Sequence, residues 1–364
     1  MADYPVGELF HPSRKGCPCC VFNGFLPPAL LGDGDNNNHH KEADNQVPID
    51  PLRALDILLE DDSETGPTDP LIIMDTHGHA QLERDAISSY HKTKNPDSNP
   101  ANQVKLRAII CAVEPADWKD TLELAAKSSH YLPALGIHPW YLGEGLPDDW
   151  LLHLEHLLLE HPSAIVGEIG LCKMARWTRH YAAGKAAALD IQRDVFQQQL
   201  QLAARLRRPV SVHCVNQHGV FVRVLEDILN QDGGTDPRQL LPPVIGMHSF
   251  TGTANQAKDL LKLERQLLSK SSITEPLFYF GFSHTVNYVM NTSDKSRLKG
   301  RETVCSIPPD RLLVESDVHS SQDLLGGTAG AIAYVAWARN EPLQHIAKLT
   351  ARNGMAFVAS VTKP

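Results

Sequence analysis

Histidine and carboxylate side chains recur in this sequence at the ends of short apolar segments. His77 and His79 follow the apolar segment 71–74, and because they stand two residues apart, an extended chain would point both to the same side. Two imidazoles on one side of a strand can hold one divalent ion. A His-x-His pair alone is more often an accidental surface pair, so this signal needs support from elsewhere in the chain.

A glutamate, three more histidines and an aspartate occupy comparable positions after later apolar segments. Glu168 lies between two glycines, and a buried carboxylate is costly unless it is paired or bound to a metal. A lone histidine after a strand is usually only hydrogen-bonded within the fold. Together, however, two histidines on one strand, one glutamate, two further histidines and one aspartate at one edge of a fold would hold two divalent cations. The later members of this series are His138, Glu168, His213, His248 and Asp317.

Eight apolar segments alternate with helical segments from residue 71 onwards. Near-continuous apolar segments indicate strands of a parallel sheet that is buried on both faces. Eight such units in 294 residues predict an α/β fold, a (β/α)8 TIM barrel, with a doubly wound open sheet as the alternative. In such a barrel the polar residues just described would share the catalytic rim. The expected strands cover 71–75, 107–113, 131–137, 164–169, 209–214, 244–248, 277–282 and 311–316.

Residues 1–70 form an acidic extension that differs in composition from the rest of the chain. They hold 4 Lys and Arg against 13 Asp and Glu, which accounts for the whole formal charge of −9, and the remaining residues balance. We expect the extension to be partly disordered, with a flexible loop at 32–46 and a short helix at 50–59. The barrel domain would then cover 71–364. A neutral domain does not hold nucleic acid by bulk charge, so a phosphate substrate needs another attraction, such as a bound cation.

The seven cysteines, an amino terminus without a signal-peptide pattern and the lack of an apolar run of about 18 residues predict a reduced, intracellular, soluble protein of the cytoplasm or nucleus. Cys17, Cys19 and Cys20 with His11 could bind zinc. Their spacing fits no standard zinc site, so an ordinary reduced cluster is favoured.

The motifs at the strand ends resemble those of the TatD family of metal-dependent hydrolases, within the amidohydrolase superfamily. Their order and spacing fit over about residues 71–360, and six motifs in order are specific where one would not be. The motifs are Asp-x-His-x-His at 75–79, Gly-Ile-His-Pro at 136–139, Gly-Glu-Ile-Gly-Leu at 167–171, Pro-Val-Ser-Val-His-Cys at 209–214, His-Ser-Phe-Thr-Gly at 248–252 and Glu-Ser-Asp at 315–317.

The resemblance implies hydrolysis of DNA phosphodiesters, often from a strand end. It also implies two divalent ions as cofactors, which from their His and carboxylate ligands would be Zn, Mn, Fe, Co or Mg. One ion would be held by His77, His79, Glu168 and Asp317. The other would be held by Glu168, His213 and His248, with Glu168 between the two ions.

Within that implied site, three residues take part in catalysis. Glu168 would be shared by two cations that activate a water molecule, and Asp317 would accept the proton of that water. His138 is expected to hydrogen-bond a substrate oxygen. Among further substrate contacts, Trp140 would stack on a base at the rim, with packing over the barrel mouth as an equal alternative.

Three departures from the family pattern affect substrate contacts more than metal binding. The family commonly has Asp where this chain has Cys172, followed by Lys173, and it often has Arg at the position of Val215. That Arg would be a natural phosphate contact, so Lys173 or the amides at 216–217 would have to replace it. Residues 318–319 replace the usual Ala-Pro. Because all six metal-ligand positions are kept, we expect a working enzyme with altered substrate recognition.

The sequence therefore favours a two-metal phosphodiesterase that acts on nucleic acid ends, and we expect a monomer. One alternative keeps the metal site but hydrolyses a small ester or amide. The other is a non-enzymatic interaction protein that works through residues 1–70, because the extension looks like the longer fungal or other eukaryotic branch of the family, some of whose members bind a cell-cycle protein. A complete set of metal ligands is unneeded in a scaffold, which favours the enzyme.

Overall fold

The computed structural model describes residues 50–59, 70–82, 104–230 and 236–362. The loop expected at 32–46 and the cluster of Cys17, Cys19 and Cys20 with His11 lie outside the described residues.

Eight parallel strands form one sheet, in which each strand pairs with the next along the chain. The ends of this series meet, because the N–H of Asp317 donates to the carbonyl oxygen of His77 at 3.0 Å, and the N–H of His79 donates to that of Val318 at 2.8 Å. The sheet is therefore a TIM barrel, as predicted, and the open doubly wound alternative is wrong. The strands are β1 (Ile72–Gly78), β2 (Lys105–Cys111), β3 (Tyr131–Leu135), β4 (Ile165–Cys172), β5 (Val210–Val215), β6 (Ile245–Met247), β7 (Phe278–Ser283) and β8 (Leu312–Glu315).

Helices surround the barrel, and no helix in the described parts of the chain is long and apolar enough to cross a membrane. The helices are α1 (Pro51–Leu59), α2 (Trp118–Ala125), α3 (Trp150–Glu160), α4 (Gly184–Arg205), α5 (His218–Asn230), α6 (Ala254–Leu268), α7 (Asp294–Ser306), α8 (Leu324–Arg339), α9 (Leu343–Phe357) and α10 (Ala359–Thr362).

Aromatic side chains fill the layer between strands and helices. The rings of Phe196 on α4 and Phe221 on α5 lie 5.9 Å apart, and Phe221 also contacts Phe278 of β7. All three side chains are buried, and each such burial contributes about 1.5–3 kcal/mol. This packing holds the strands in register, so that the residues at their carboxyl ends have defined positions.

The helix α4 starts earlier than the sequence pattern suggested. The apolar periodicity of the sequence predicts a helix only from about Gln192 to Leu206, whereas α4 begins at Gly184 and includes Ala186, Ala187 and Ala188. Alanine has the highest helix propensity but does not mark an apolar face as leucine does. The apolar periodicity therefore shows only the later part of this helix.

The short helix expected at 50–59 is present as α1, and it packs on the barrel helix α8. Ala54 and Leu58 are buried at this contact. Pro51 packs so closely on Gly330 that a Cβ atom added to this glycine would lie 2.9 Å from Cγ of Pro51. Asp50 caps the helix by accepting a hydrogen bond from the N–H of Leu52 at 2.9 Å. Part of the acidic extension thus belongs to the helical layer of the barrel.

Candidate metal centre

The structure brings together all six residues that the sequence suggested as metal ligands, and His138 joins them. They form three overlapping groups, and within each group the possible ligand atoms lie within 4.8 Å of one another. They lie within strands or a few residues after them, from Glu168 in the middle of β4 to His138 three residues after β3. The groups are His77, His79 and Glu168; His77, His248 and Asp317; and His138, Glu168 and His213.

The histidines of β1 point the same ring nitrogen at a common space. The Nε2 atoms of His77 and His79 are 3.1 Å apart, and they lie 3.3 and 3.4 Å from Oε2 of Glu168. The opposite nitrogens are held by the fold, since Nδ1 of His77 is 2.8 Å from Oγ of Ser211 and Nδ1 of His79 is 2.7 Å from the carbonyl oxygen of Cys111. Such contacts orient metal-binding imidazoles and leave Nε2 for the ion.

His248 is oriented in the same way by a buried carboxylate. Its Nδ1 atom lies 2.7 Å from Oε1 of Glu315, and the same oxygen accepts a hydrogen bond from the N–H of Ser249. Its Nε2 atom then lies 3.7 Å from both Glu168 Oε1 and Asp317 Oδ2. The ring also stacks on that of His77, with centroids 3.6 Å apart.

Asp317 is the strongest indication that a cation belongs in this space. It follows β8 with a φ of 55°, a left-handed conformation that is uncommon outside glycine and clusters at functional sites. Both of its carboxylate oxygens are buried without a hydrogen-bond donor among the described residues. A buried carboxylate that accepts no hydrogen bond is costly, and imidazoles are its only cationic neighbours among the described residues, so this one fits a metal ligand.

The electrostatics of the cluster agree with that interpretation. Burial raises the pKa of Asp317, but His248 and His79 outweigh it and lower the pKa to about 2. Burial likewise opposes the charge of Glu168, yet the surrounding histidines hold its pKa well below the usual value. The same carboxylates outweigh the effect of burial on His79 and raise its pKa to about 10. The carboxylates stay ionised and attract positive charge, which divalent cations can supply in place of protons.

His138 differs from the other histidines in its hydrogen bonding. Its Nδ1 atom accepts the backbone N–H of Trp140 at 3.2 Å, and burial lowers its pKa well below the ordinary value. The ring is therefore neutral and carries its hydrogen on Nε2, which faces Glu168 Oε1 at 3.4 Å. A protonated Nε2 cannot bind a metal. His138 is thus better suited to donate to a substrate oxygen than to serve as a ligand, although it lies within ligand distance.

Comparison with known proteins agrees with the geometry. Residues 74–357 match the family model described as TatD related DNase. The chain belongs to the TatD related DNase family. It is 26% identical over 322 residues to the Cut9-interacting protein scn1 of Schizosaccharomyces pombe, which covers 69% of this chain and 88% of that protein. It is 28% identical over 194 residues to the 3′-5′ ssDNA/RNA exonuclease TatD of Citrobacter rodentium, covering 53% of this chain and 59% of that protein.

A solved structure shows the same fold. The crystal structure of YJJV, a TatD homolog from Escherichia coli K12, superposes with a TM-score of 0.55 at 23% identity, over 78% of this chain and 97% of that one. As a TatD-family protein the chain is a metal-dependent hydrolase, as the sequence predicted. The division of the ligands between two ions stays a prediction.

The cysteine that departs from the TatD pattern lies directly beside the metal centre. Sγ of Cys172 accepts the indole N–H of Trp140 at 3.2 Å, and the thiol contacts His213. Burial lowers the pKa of His213, but Cys172 and Glu168 raise it to about 10, and Nδ1 of His213 is 3.0 Å from Glu168 Oε1. Trp140 is thus half-buried and tied to Cys172, while Lys173 is exposed at the rim.

Sequence reasoning missed three polar residues that support the ligands. Ser211 and Glu315 hold His77 and His248. Asp75 accepts the N–H groups of His77 at 3.1 Å and of Ser316 at 3.0 Å, and so joins β1 to the residues after β8. Each of the three lies two residues before a predicted ligand, and this spacing places both side chains on the same side of a strand. That spacing was the available signal.

Proposed function

We propose that this TatD-family chain is a two-metal phosphodiesterase that cleaves DNA from a strand end. The observation that carries the proposal is the buried Asp317 carboxylate, which accepts no hydrogen bond from the described residues and lies beside the imidazoles of His77, His79 and His248. The family description names a DNase, and one relative is named a 3′-5′ ssDNA/RNA exonuclease, which supports a nucleic acid substrate.

The position of Glu168 supports two cations. Its Oε2 atom faces His77 and His79 at 3.3 and 3.4 Å, whereas its Oε1 atom faces His213 at 3.0 Å and His248 at 3.7 Å. His138 also faces Oε1, at 3.4 Å, so the carboxylate presents each oxygen to a different set of histidines. Bound divalent cations would supply Lewis-acid stabilisation of charge on the phosphoryl oxygens and lower the pKa of water.

The protein's own groups then perform the proton transfer and orient the substrate. Asp317 is ionised at neutral pH, since its pKa is lowered to about 2, so its carboxylate is free to accept a proton from the attacking water. The Nε2–H group of His138 donates to a non-bridging phosphoryl oxygen, where negative charge develops during the reaction. Both side chains are almost fully buried, which keeps these interactions strong.

The test is cleavage of end-labelled single-stranded DNA by the wild-type protein and by Glu168→Gln and Asp317→Asn. We expect each substitution to reduce the rate at least about 100-fold, with folding verified by circular dichroism and thermal melting. Asp190→Asn is the matched control, because Asp190 lies on α4 with its side chain 60% exposed. A wild-type nuclease rate in Glu168→Gln would contradict the proposal.

The remaining expectations stay predictions. A parallel panel of small ester and amide substrates tests the alternative chemistry, and turnover of these without DNA cleavage would favour it. The name of the scn1 protein of S. pombe describes an interaction with Cut9, so residues 1–70 are the segment in which we expect a protein partner to bind. We also still expect the protein to be a monomer and to be located in the cytoplasm or nucleus.

A further inference from the structure

A cavity of about 690 Å³ lies beside the metal centre, over the carboxyl ends of β4, β5 and β6. Lys173 is the first residue after β4 and Asn216 the first after β5, and Thr251 follows the ligand His248 by three residues. Three residues of extended chain span about 10 Å. The cavity is therefore the immediate neighbour of the metal centre along the rim of the barrel.

Positive charge gathers at this cavity and is not neutralised by the protein. Lys173, Arg179 and Lys185 line it, and no acidic residue does. All three are exposed, and within the part of the chain that the structure describes, none forms an ion pair with a carboxylate. Since the chain beyond residue 70 has balanced charge, three unpaired cations at one cavity are a local excess.

The backbone adds donors at the same place. The helix α5 begins at the cavity, and among the described residues the N–H groups of His218 and Gly219 have no acceptor. Apart from its chain neighbours and the backbone of α5, no atom of the described residues lies within 4 Å of the Cβ position on Gly219, so a ligand can approach the backbone. Nε2 of His218 is buried and has no hydrogen-bond partner in the described part of the chain. A helix N-terminus with open N–H groups attracts anions.

The neighbouring helix α6 also starts at the cavity but is closed by its own side chains. Oγ1 of Thr253 accepts the N–H of Gln256, and Oε1 of Gln256 accepts the N–H of Thr253. The open donors therefore belong to α5, and they face the same space as the three cations.

We propose that this cavity binds the backbone phosphate next to the scissile one, so that the preferred substrate is a nucleic acid strand with at least two phosphates. This inference rests on the proposed function, and it assigns to Arg179, Lys185 and the start of α5 the phosphate contact that Val215 cannot make. A volume of about 690 Å³ lies within the usual range for a small-ligand site. A substrate with a single phosphodiester occupies only the metal centre.

The first test compares thymidine substrates that contain one phosphate, dTpdT, with those that contain two, pdTpdT and dTpdTp. In the wild-type enzyme, one of the two substrates with a second phosphate should have a kcat/KM about tenfold or more above that of dTpdT. The double substitution Arg179→Ala/Lys185→Ala should abolish this increase in kcat/KM. Lys262→Ala/Arg265→Ala is the matched control, because it removes the same two charges from the opposite half of α6. Equal kcat/KM for one and two phosphates, or an equal loss in the control, would overturn the proposal.

The second test measures binding and so does not depend on turnover. The affinity of the wild-type protein for a labelled phosphorothioate dT10 strand is measured by anisotropy at several salt concentrations. Each lost phosphate contact reduces the slope of log Kd against log salt by about 0.7 for single strands. Arg179→Ala/Lys185→Ala should therefore reduce it by about 1.4, and an unchanged slope overturns the subsite. A changed slope without any DNA hydrolysis would leave the subsite standing and refute the proposed function.

Discussion

Replacement of Glu315 by Gln should weaken metal binding about tenfold and leave the fold intact. Glu315 is buried behind His248, and its Oε1 atom lies 2.7 Å from Nδ1 of that ring. Glu315 is not a member of the three groups of possible ligands. Its role is to hold the imidazole with Nε2 pointing at Glu168 and Asp317.

The magnitude follows from what the amide keeps and what it loses. The amide oxygen of Gln can still accept the N–H groups of Ser249 and His248, and Thr76, 3.5 Å from the other oxygen, can accept from the amide nitrogen. Only the negative charge is lost. A hydrogen bond to a charged group is worth about 1 kcal/mol more than a neutral one, which is nearly tenfold in a binding constant. Residues that support metal ligands typically affect affinity about 10- to 100-fold.

The assay is a titration of metal-free protein with Zn²⁺ or Mn²⁺, followed by phosphodiesterase activity as a function of metal concentration. Glu315→Gln should show the higher Kd but recover activity at saturating metal. Glu264→Gln is the control, because Glu264 is also buried but accepts the N–H groups of Leu277 and Phe278 at the start of β7, at the opposite end of the barrel. If Glu315→Gln binds metal as tightly as the wild type, the assigned role of Glu315 is wrong.

Three further outcomes are expected. In Gly281→Ala the new Cβ would stand 2.2 Å from Oε2 of Glu315, so this variant should lose at least as much metal affinity as Glu315→Gln, and an unchanged Kd in the same titration would speak against the coupling. Metal at 100 times its Kd should stabilise the folded protein by about 3 kcal/mol. If the melting temperature is the same with metal and with a chelator, the folded protein does not bind the metal. Burial lowers the pKa of His284 from 6.5 to about 4. Between these pH values the unfolded chain binds a proton that the folded protein does not. Acidification to pH 4 should therefore lower the free energy of unfolding by about 3 kcal/mol. His284→Gln should lack this component in urea unfolding at pH 7 and 4.5, and identical pH dependence in both proteins would refute it.

The barrel and the convergence of the candidate ligands were predictable for one physical reason. A buried parallel strand is otherwise apolar, so His77 near the end of β1, Glu168 within β4 and Asp317 just after β8 stand out as polar interruptions. The closure of the barrel then brings these residues together. A pattern of short-range spacing is enough when the topology is regular.

The supporting residues and the phosphate cavity were not predictable in the same way. Ser211 and Glu315 each stand two residues before a predicted ligand, which indicates their side of the strand, but only the structure shows which imidazole each one contacts. Arg179 and Lys185 lie in and after a short 3₁₀ turn before the apolar part of α4, so no periodicity marks them. A role of Trp140 in substrate binding stays a prediction, and only the structure shows that its indole N–H donates to Cys172.

The joint between β1 and β8 has a consequence for how the protein is made. His77 and His79 leave the ribosome with β1, whereas Asp317 arrives after β8, and the backbone bonds between these two regions complete the barrel. At about 5–20 residues per second, Asp317 is synthesised roughly 10 to 50 seconds after His77 and His79. We therefore expect cations to be captured only after translation has passed β8, so a chain that stalls earlier should emerge without its metal.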